Sequence, residues 1–299
     1  MSYTIKLLPS GHVFQAKGSQ TIVEAAIDAG VHLPYGCRNG ACGACKGKVV
    51  EGKVHLEDYQ SSVISEEEIK NGMTLFCRAM AIEDLTIEIK ELAIVNNIRP
   101  KIFPVRVEAL EKLTHDVMLM KLKLPSTDKL QFVAGQYLEF LLKDGKRRAF
   151  SIASPSHESS LLEIHLRLIP GGEFTEYVFQ EMKEKSILRV EGPFGNFFLR
   201  EDSTKTIIFV AGGTGFAPIK GMIEESIQKG MKRPIKLYRG ARALEDLYMN
   251  TLCKEWANEF SHIEYIPVLS ESPVGFVGLL RSARNKKQRN GFLTRRYRY

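Results

Sequence analysis

With 299 residues the chain has room for two or three domains, each able to bury a core of its own. Hydrophobic residues make up 44% and charged residues 26%, a globular balance, and no run approaches the roughly 18 continuous apolar residues of a membrane span. The formal net charge of +7 is local, because residues 281–299 carry eight basic side chains and no acidic one; the body is nearly neutral and offers no basic face for nucleic acid.

The opening Met-Ser-Tyr-Thr-Ile-Lys-Leu-Leu has no long apolar region and no small-residue cleavage site, so it reads as the first strand of a cytoplasmic protein and not as a secretory signal. Residues 1–92 alternate short strand patterns (Tyr3–Leu8, Gly47–Val50, Leu85–Ile89) with one helical stretch, Thr21–Ala29. Within this segment Cys37, Cys42 and Cys45 are followed at a distance by Cys77. This is the C-x4-C-x2-C…C spacing of plant-type ferredoxins, which hold a 2Fe-2S cluster on four thiolates. Gly36, Gly40 and Gly43 suit a loop that needs unusual backbone angles and amides close to sulfur. The alternatives are buried free thiols or a zinc site, although zinc sites usually pair C-x2-C units. Disulfides do not suit a chain without a secretory signal. Cys253, on a helical pattern, reads as a small buried apolar residue.

A connector with two prolines and paired asparagines spans residues 93–102. Residues 103–202 then hold five strand-like segments (Val105–Leu110, Val117–Leu122, Tyr137–Leu142, Leu162–Leu168, Ile187–Val190), for which an antiparallel barrel is the expected closure. From residue 203 the rhythm becomes strand, glycine-rich turn, helix, strand, helix, strand, the signature of a covered parallel sheet. Its elements are predicted at Thr206–Val210, Ile219–Ile227, Ile235–Tyr238, Leu244–Phe260 and Ile263–Leu269.

Three motifs in this order, Arg148-Ala-Phe-Ser151, Gly171-Gly-Glu-Phe-Thr175 and Gly192-Pro-Phe-Gly195, resemble the FAD-binding set of the ferredoxin-NADP reductase superfamily. The resemblance is to its modular, phenol-hydroxylase-reductase-like branch and covers residues 1 to about 270. It implies an α+β multidomain protein: a β-grasp ferredoxin domain (1–92), an antiparallel FAD-binding β-barrel (103–202) and an α/β nucleotide-binding domain (203–280), before a basic tail (281–299). It also implies that Arg148 pairs with the FAD pyrophosphate, that Phe150 lies against the flavin and that Ser151 sits near the reactive N5. A guanidinium suits phosphate and an aromatic ring excludes water, which agrees with those roles. Gly171, Gly172 and Thr175 would supply amides and a hydroxyl to the pyrophosphate.

Ala211-Gly-Gly-Thr-Gly-Phe-Ala-Pro218 follows an apolar strand and resembles the NAD(P)H loop of the same family. Gly212, Gly213, Thr214 and Gly215 are its candidate contacts, with Pro218 starting the helix. Arg242 is either a contact to the adenosine ribose or a solvated arginine. The family continues to a fourth strand ending in Cys-Gly-Pro-Pro, which this sequence lacks, so a truncated nucleotide domain is expected, with Thr206–Val210 left at an unpaired edge.

The resemblance therefore implies an NAD(P)H-dependent oxidoreductase that passes electrons through FAD and a 2Fe-2S cluster to a partner protein. The modular order is similar to that of oxygenase reductases and of CDP-6-deoxy-glucoseen-reductase-like proteins that serve deoxysugar dehydrases. The alternative is a truncated electron carrier, or an inactive remnant, unable to oxidise NAD(P)H efficiently. The basic tail, with few aromatics and no apolar face, reads as solvated and not as a ligand for nucleic acid or membrane.

Overall fold

Alternation of inward and outward side chains makes Ser2–Leu8 (β1) and Val13–Lys17 (β2) half-buried strands, which pair antiparallel with Ile5 opposite Phe14. The helix Ile22–Ala29 (α1) begins at Thr21, whose hydroxyl accepts the Glu24 N–H while the Glu24 carboxylate accepts the Thr21 N–H. It ends at Gly30, whose φ of 75° lets its N–H return to the carbonyls of Ala26 and Ile27. Lys46–Glu51 (β3), Val54–Leu56 (β4), Glu66–Lys70 (α2), Met73–Leu75 (β5), Ala79–Ala81 (β6) and Leu85–Glu88 (β7) follow.

These strands form a mixed sheet of order β2-β1-β7-β3-β5, with β1 and β7 parallel, and a separate β4-β6 pair. One face of α1, with Ile22, Val23 and Ala26, packs into the core of Ile5, Leu7, Leu75, Phe76 and Ile87. Each large side chain buried there contributes about 1.5–3 kcal/mol.

The computed structural model describes residues 1–92, 98–125 and 130–271. Most of the expected connector, the stretch after Glu271 and the basic tail lie outside the described residues. The chain divides into two compact units. The first comprises Met1–Phe103, Leu130–Ala149 and Arg189–Phe198, and the second Pro104–Lys129, Phe150–Leu188 and the chain from Leu199 onward.

The middle of the chain supplies Lys101–Lys112 (β8), Val117–Lys123 (β9), Tyr137–Leu141 (β10), Arg147–Ser151 (β11), Leu161–Arg167 (β12), Glu173–Gln180 (α3) and Ile187–Phe194 (β13). The expected closed barrel is corrected here. The sheet order is β11-β10-β13-β8-β9-β12, an open sheet with β11 and β12 at its two ends. Beyond β11 the chain meets β12 in a single bridge, Ile152 to Ile164, and one bond from Ala153 N–H to the Glu163 carbonyl at 2.7 Å. A longer ladder does not form because the Ser154 hydroxyl takes the Glu163 N–H at 2.6 Å and Pro155 has no N–H to donate.

In the second unit Ile207–Gly212 (β14), Ile235–Ala241 (β15) and Ile263–Leu269 (β16) form a parallel sheet of order β14-β15-β16. Its connections carry Phe216–Gln228 (α4) and Asn250–Glu259 (α5). The long helix expected over 244–260 is shorter: a 3-10 turn at Leu244–Asp246 is separated from α5 by Met249, whose φ is 53°. Helix α4 opens at Phe216, so Pro218 occupies its first turn, where a missing N–H costs nothing. Among the described residues β14 has β15 as its one neighbour, and Ile208 and Val210, on one face of the strand, are 64% and 75% exposed. No helix among the described residues is long and apolar enough to cross a membrane.

Helix α4 approaches the 153–156 backbone as closely as glycine permits. A Cβ on Gly221 would lie 2.6 Å from the Ser154 carbonyl oxygen, and the Glu225 carboxylate accepts the Ser156 N–H at 2.8 Å. Gly221→Ala is therefore expected to destabilise the protein by about 1–3 kcal/mol, the usual cost of forcing extra atoms into a packed contact. A melting temperature equal to that of the parent would contradict this reading.

Candidate functional site

The four predicted ligands come together as two thiol pairs. Cys37 donates its N–H to Cys42 Sγ at 3.4 Å, and Cys45 and Cys77 share a sulfur hydrogen bond. The first pair is exposed and the second buried. Among the described residues no group of three or more His, Cys, Asp or Glu side chains is set to hold a metal ion. Two pairs are what two bridged irons need, with two thiolates for each.

The loop backbone is shaped for sulfur. The Ala41 N–H points at Cys37 Sγ, 3.2 Å away, and a Cβ on Gly36 would stand 3.2 Å from Cys42 Sγ. Gly40, at φ 76°, could carry no side chain, because its Cβ would fall 2.8 Å from Tyr59 Cβ. The hydrogen bond from Cys45 draws Cys77 down to about 7, against the effect of burial, with the Gly40 amide and the Arg78 charge assisting. Burial pushes the Cys37 thiol up, but amides of Asn39 and Ala41 bring it below its ordinary value. The other two thiols move the opposite way: burial pushes Cys42 up, and the hydrogen bond to Cys77, with burial, pushes Cys45 up.

Also in the first unit, a cleft of about 740 Å³ is lined by Cys37, Arg38, Arg99, Glu139, Arg147 and Arg148, among others. Arg148 is half-buried on β11, and its Nη1 donates to the Arg147 carbonyl at 2.9 Å. Thus a predicted cluster ligand and the flavin-motif arginine line one cleft.

The second unit holds the remaining flavin-motif residues. The Phe150 ring lies 5.7 Å from that of Phe174, and Ser151 is half-buried at the end of β11. Gly171, at φ 75°, donates its N–H to Glu176 Oε1 at 2.7 Å. The Thr175 hydroxyl works within its own turn, donating to the Gly172 carbonyl at 3.1 Å and accepting the Ile169 N–H at 3.1 Å. Side chains built on Gly212 or Gly215 would meet open space, so a ligand can approach the backbone there. Gly213 lies beside Arg167, whose Nη1 would stand 3.1 Å from a Cβ at Gly213 and whose Nε donates to Asp116 Oδ2 at 2.8 Å. Arg167 was not singled out in the sequence; its one signal is a cation ending a strand just ahead of Gly171-Gly172. Arg242 is exposed and pairs with Asp246 at 3.3 Å.

Comparison with known proteins gives the same three parts. Residues 5–81 match a 2Fe-2S iron-sulfur cluster binding domain, 104–199 an oxidoreductase FAD-binding domain and 209–290 an oxidoreductase NAD-binding domain. The chain is 37% identical over 270 residues to the CDP-6-deoxy-L-threo-D-glycero-4-hexulose-3-dehydrase reductase of Yersinia pestis, covering 90% of this chain and 80% of that one. The chain belongs to the NAD(P)H-dependent iron-sulfur flavoprotein reductases. It is also 33% identical to the phenol 2-monooxygenase reductase component DmpP of Pseudomonas sp. (strain CF600), across 91% of this chain and 77% of that one. Among solved structures, the Amycolatopsis cytochrome P450 reductase GcoB superposes with a TM-score of 0.77 at 29% identity, over 91% of this chain and 82% of that one.

In the second unit of this reductase, a polar network ties β12 to α4 and to the segment before α5. His165 Nε2 meets Glu163 Oε1 at 2.7 Å and its Nδ1 meets the Tyr248 hydroxyl at 3.1 Å. Lys220 on α4 lies 3.2 Å from Glu163 and 2.9 Å from Glu224. Arg239 stacks 3.8 Å from the Phe216 ring centroid, donates to the Tyr248 carbonyl at 2.6 Å and reaches Cys253 Sγ at 3.5 Å. Cys253 is buried, as expected, and burial pushes its thiol up.

Burial holds the His165 imidazole below its usual value, against the pull of Glu163. Burial would raise Glu163, but the His165 hydrogen bond and the Lys220 charge bring it below the ordinary carboxylate value. Both depressed groups bind fewer protons folded than unfolded, so their contribution is complete above the unfolded pKa and is lost as pH falls through the folded one. Melting temperature should therefore drop on acidification below about 6.5, the unperturbed histidine value. His165→Gln should flatten that slope, leaving the share due to His32 and His262, which burial also lowers. Melting curves between pH 7 and 5 check this, and identical slopes would contradict it.

Proposed function

We propose that this chain is the reductase component of a two-protein system, taking electrons from NAD(P)H and delivering them singly, through FAD and a 2Fe-2S cluster, to an oxygenase or a deoxysugar dehydrase in the cytoplasm. Bound FAD supplies the step that nicotinamide lacks, accepting two electrons together and releasing them one at a time. The observation that carries the reading is the cleft of the first unit, which both Cys37 and Arg148 line. The partner class rests on the relatives, one named for a hexulose dehydrase and another for a phenol monooxygenase.

The roles of the chain's own groups follow from their chemistry. Cys37, Cys42, Cys45 and Cys77 hold the cluster, helped by amides aimed at sulfur. Arg148 pairs with the FAD pyrophosphate, Phe150 excludes water from one side of the ring and Ser151 offers a hydroxyl near N5. The turn of Gly171 and Gly172 is braced by Thr175, and its amides, held at 2.7 Å by Glu176 and 2.8 Å by the Ile169 carbonyl, would exchange those partners for phosphate when FAD binds. Gly212, Gly213, Thr214 and Gly215 offer backbone to NAD(P)H at the end of β14, with Arg167 as a neighbouring cation and Arg242 near the ribose.

Arg148→Ala should weaken FAD retention by about ten- to a hundredfold, the worth of a charge-assisted hydrogen bond. Gel filtration followed by release of flavin on heating measures this, and full retention would contradict the Arg148 role. Anaerobic stopped-flow separates the reductase from the alternative carrier: rapid flavin bleaching by NADH or NADPH supports the reductase, whereas bleaching by dithionite alone supports a carrier that cannot use NAD(P)H.

A further inference from the structure

Arg38 directly follows the cluster ligand Cys37 and adopts φ 58°, a left-handed conformation that costs a residue with a Cβ about 1 kcal/mol. That backbone turns its side chain inward, leaving it 21% exposed. Arg38 Nη1 donates to Glu139 Oε1 on β10 at 2.9 Å, and Nη2 lies 3.5 Å from Glu24 Oε1, the carboxylate that caps α1. Its guanidinium carbon stands 5.0 Å from the ring centroid of Phe194 at the end of β13. The other Glu139 oxygen accepts Arg147 Nη1 at 3.0 Å, and Arg147 also meets Glu191 on β13. Neighbouring bonds run the same way. Gly195 N–H donates to the Tyr35 hydroxyl at 3.0 Å, Asn196 Nδ2 to the Leu33 carbonyl at 2.7 Å, and the Tyr137 hydroxyl to the Gly36 carbonyl at 3.4 Å. All of these residues belong to the first unit.

A buried ion pair adds little net stability, because desolvation consumes most of the Coulombic gain. A strained backbone supporting such a pair calls for another reason, and the fork of the guanidinium supplies one: it fixes direction as well as distance. Only half of the cluster site needs such help. Cys45 and Cys77 are buried in the ferredoxin core, whereas Cys37 and Cys42 lie on an exposed loop.

We propose that Arg38 is a positioning residue that clamps the Cys37–Cys42 side of the cluster site to β10, through Glu139, so that the cluster loop and the strand pair β10–β13 behave as one rigid body. The inference rests on the cluster reading above. Its consequence is that the cluster loop keeps a fixed place against β10 and β13 within the first unit while electrons arrive, without a swing of the ferredoxin segment away from those strands.

Two variants test the clamp in the holoprotein. Arg38→Gly removes the side chain and relieves the backbone, since glycine takes φ 58° freely. Glu139→Gln removes the charge at the far end, away from the ligand loop. Two properties are measured: amide hydrogen exchange over residues 36–42, and the rate of cluster reduction after the flavin has been reduced. With iron and sulfide retained, exchange should quicken by about tenfold in Arg38→Gly, and less in Glu139→Gln, as expected for losing one hydrogen bond between charged groups. Cluster reduction should slow by about tenfold or more, within the range for a misplacement near 1 Å. Arg38→Lys, a point charge without the fork, should recover part of both effects.

Unchanged exchange in both variants would overturn the clamp, as would faster exchange with unaltered cluster reduction, which would make Arg38 a structural residue only. Should Arg38→Gly lose its cluster, Glu139→Gln decides by the same two readouts. A parent protein without iron and sulfide overturns the clamp together with the cluster reading, and this is seen before any variant is made.

Discussion

The site residues depend on backbone approaching closer than a side chain allows. At Gly40 a Cβ would collide with Tyr59, which closes the cluster loop from outside, and at Gly36 it would crowd Cys42 Sγ. At Gly221 the same constraint brings α4 onto the 153–154 backbone and so fixes where the Gly212–Gly215 turn, at the head of that helix, can present its amides. In each case a small local tolerance decides whether a candidate binding turn has its shape.

Charge networks then hold what the glycines permit. In the first unit the line Glu24, Arg38, Glu139, Arg147, Glu191 joins the cap of α1 and the ligand loop to β10 and β13. In the second, Glu163, His165, Lys220 and Tyr248 join β12 to α4 and to the segment before α5. A complete pair of this kind adds little net stability, because desolvation offsets the attraction, and its main effect is to fix orientation; removing one partner alone strands the other.

The parts of this organisation visible in the sequence are those made by local rules. The helical stretch expected over Thr21–Ala29 is α1, which begins one residue after Thr21. The predicted Ile263–Leu269 strand is β16 itself. What the sequence hides is made by long-range contact. A run of strands does not say whether a sheet closes; here Ser154 and Pro155 stop the ladder. Periodicity over 244–260 does not reveal that Met249 turns left-handed and delays α5. Arg38 and Glu139, 101 residues apart, look like surface charges until the fold sets them 2.9 Å from each other. Arg167 likewise gains its meaning only from Gly213 beside it.

The central claim is that electrons from NAD(P)H reach a 2Fe-2S cluster held by Cys37, Cys42, Cys45 and Cys77. Electron paramagnetic resonance of the anaerobic protein, frozen after adding NADH or NADPH, tests it most directly. A reduced 2Fe-2S signal should appear with nicotinamide as the only donor and should be absent from Cys42→Ser. A signal that dithionite produces and neither nucleotide does would contradict the route, and no cluster signal with any donor would contradict the ligand set itself.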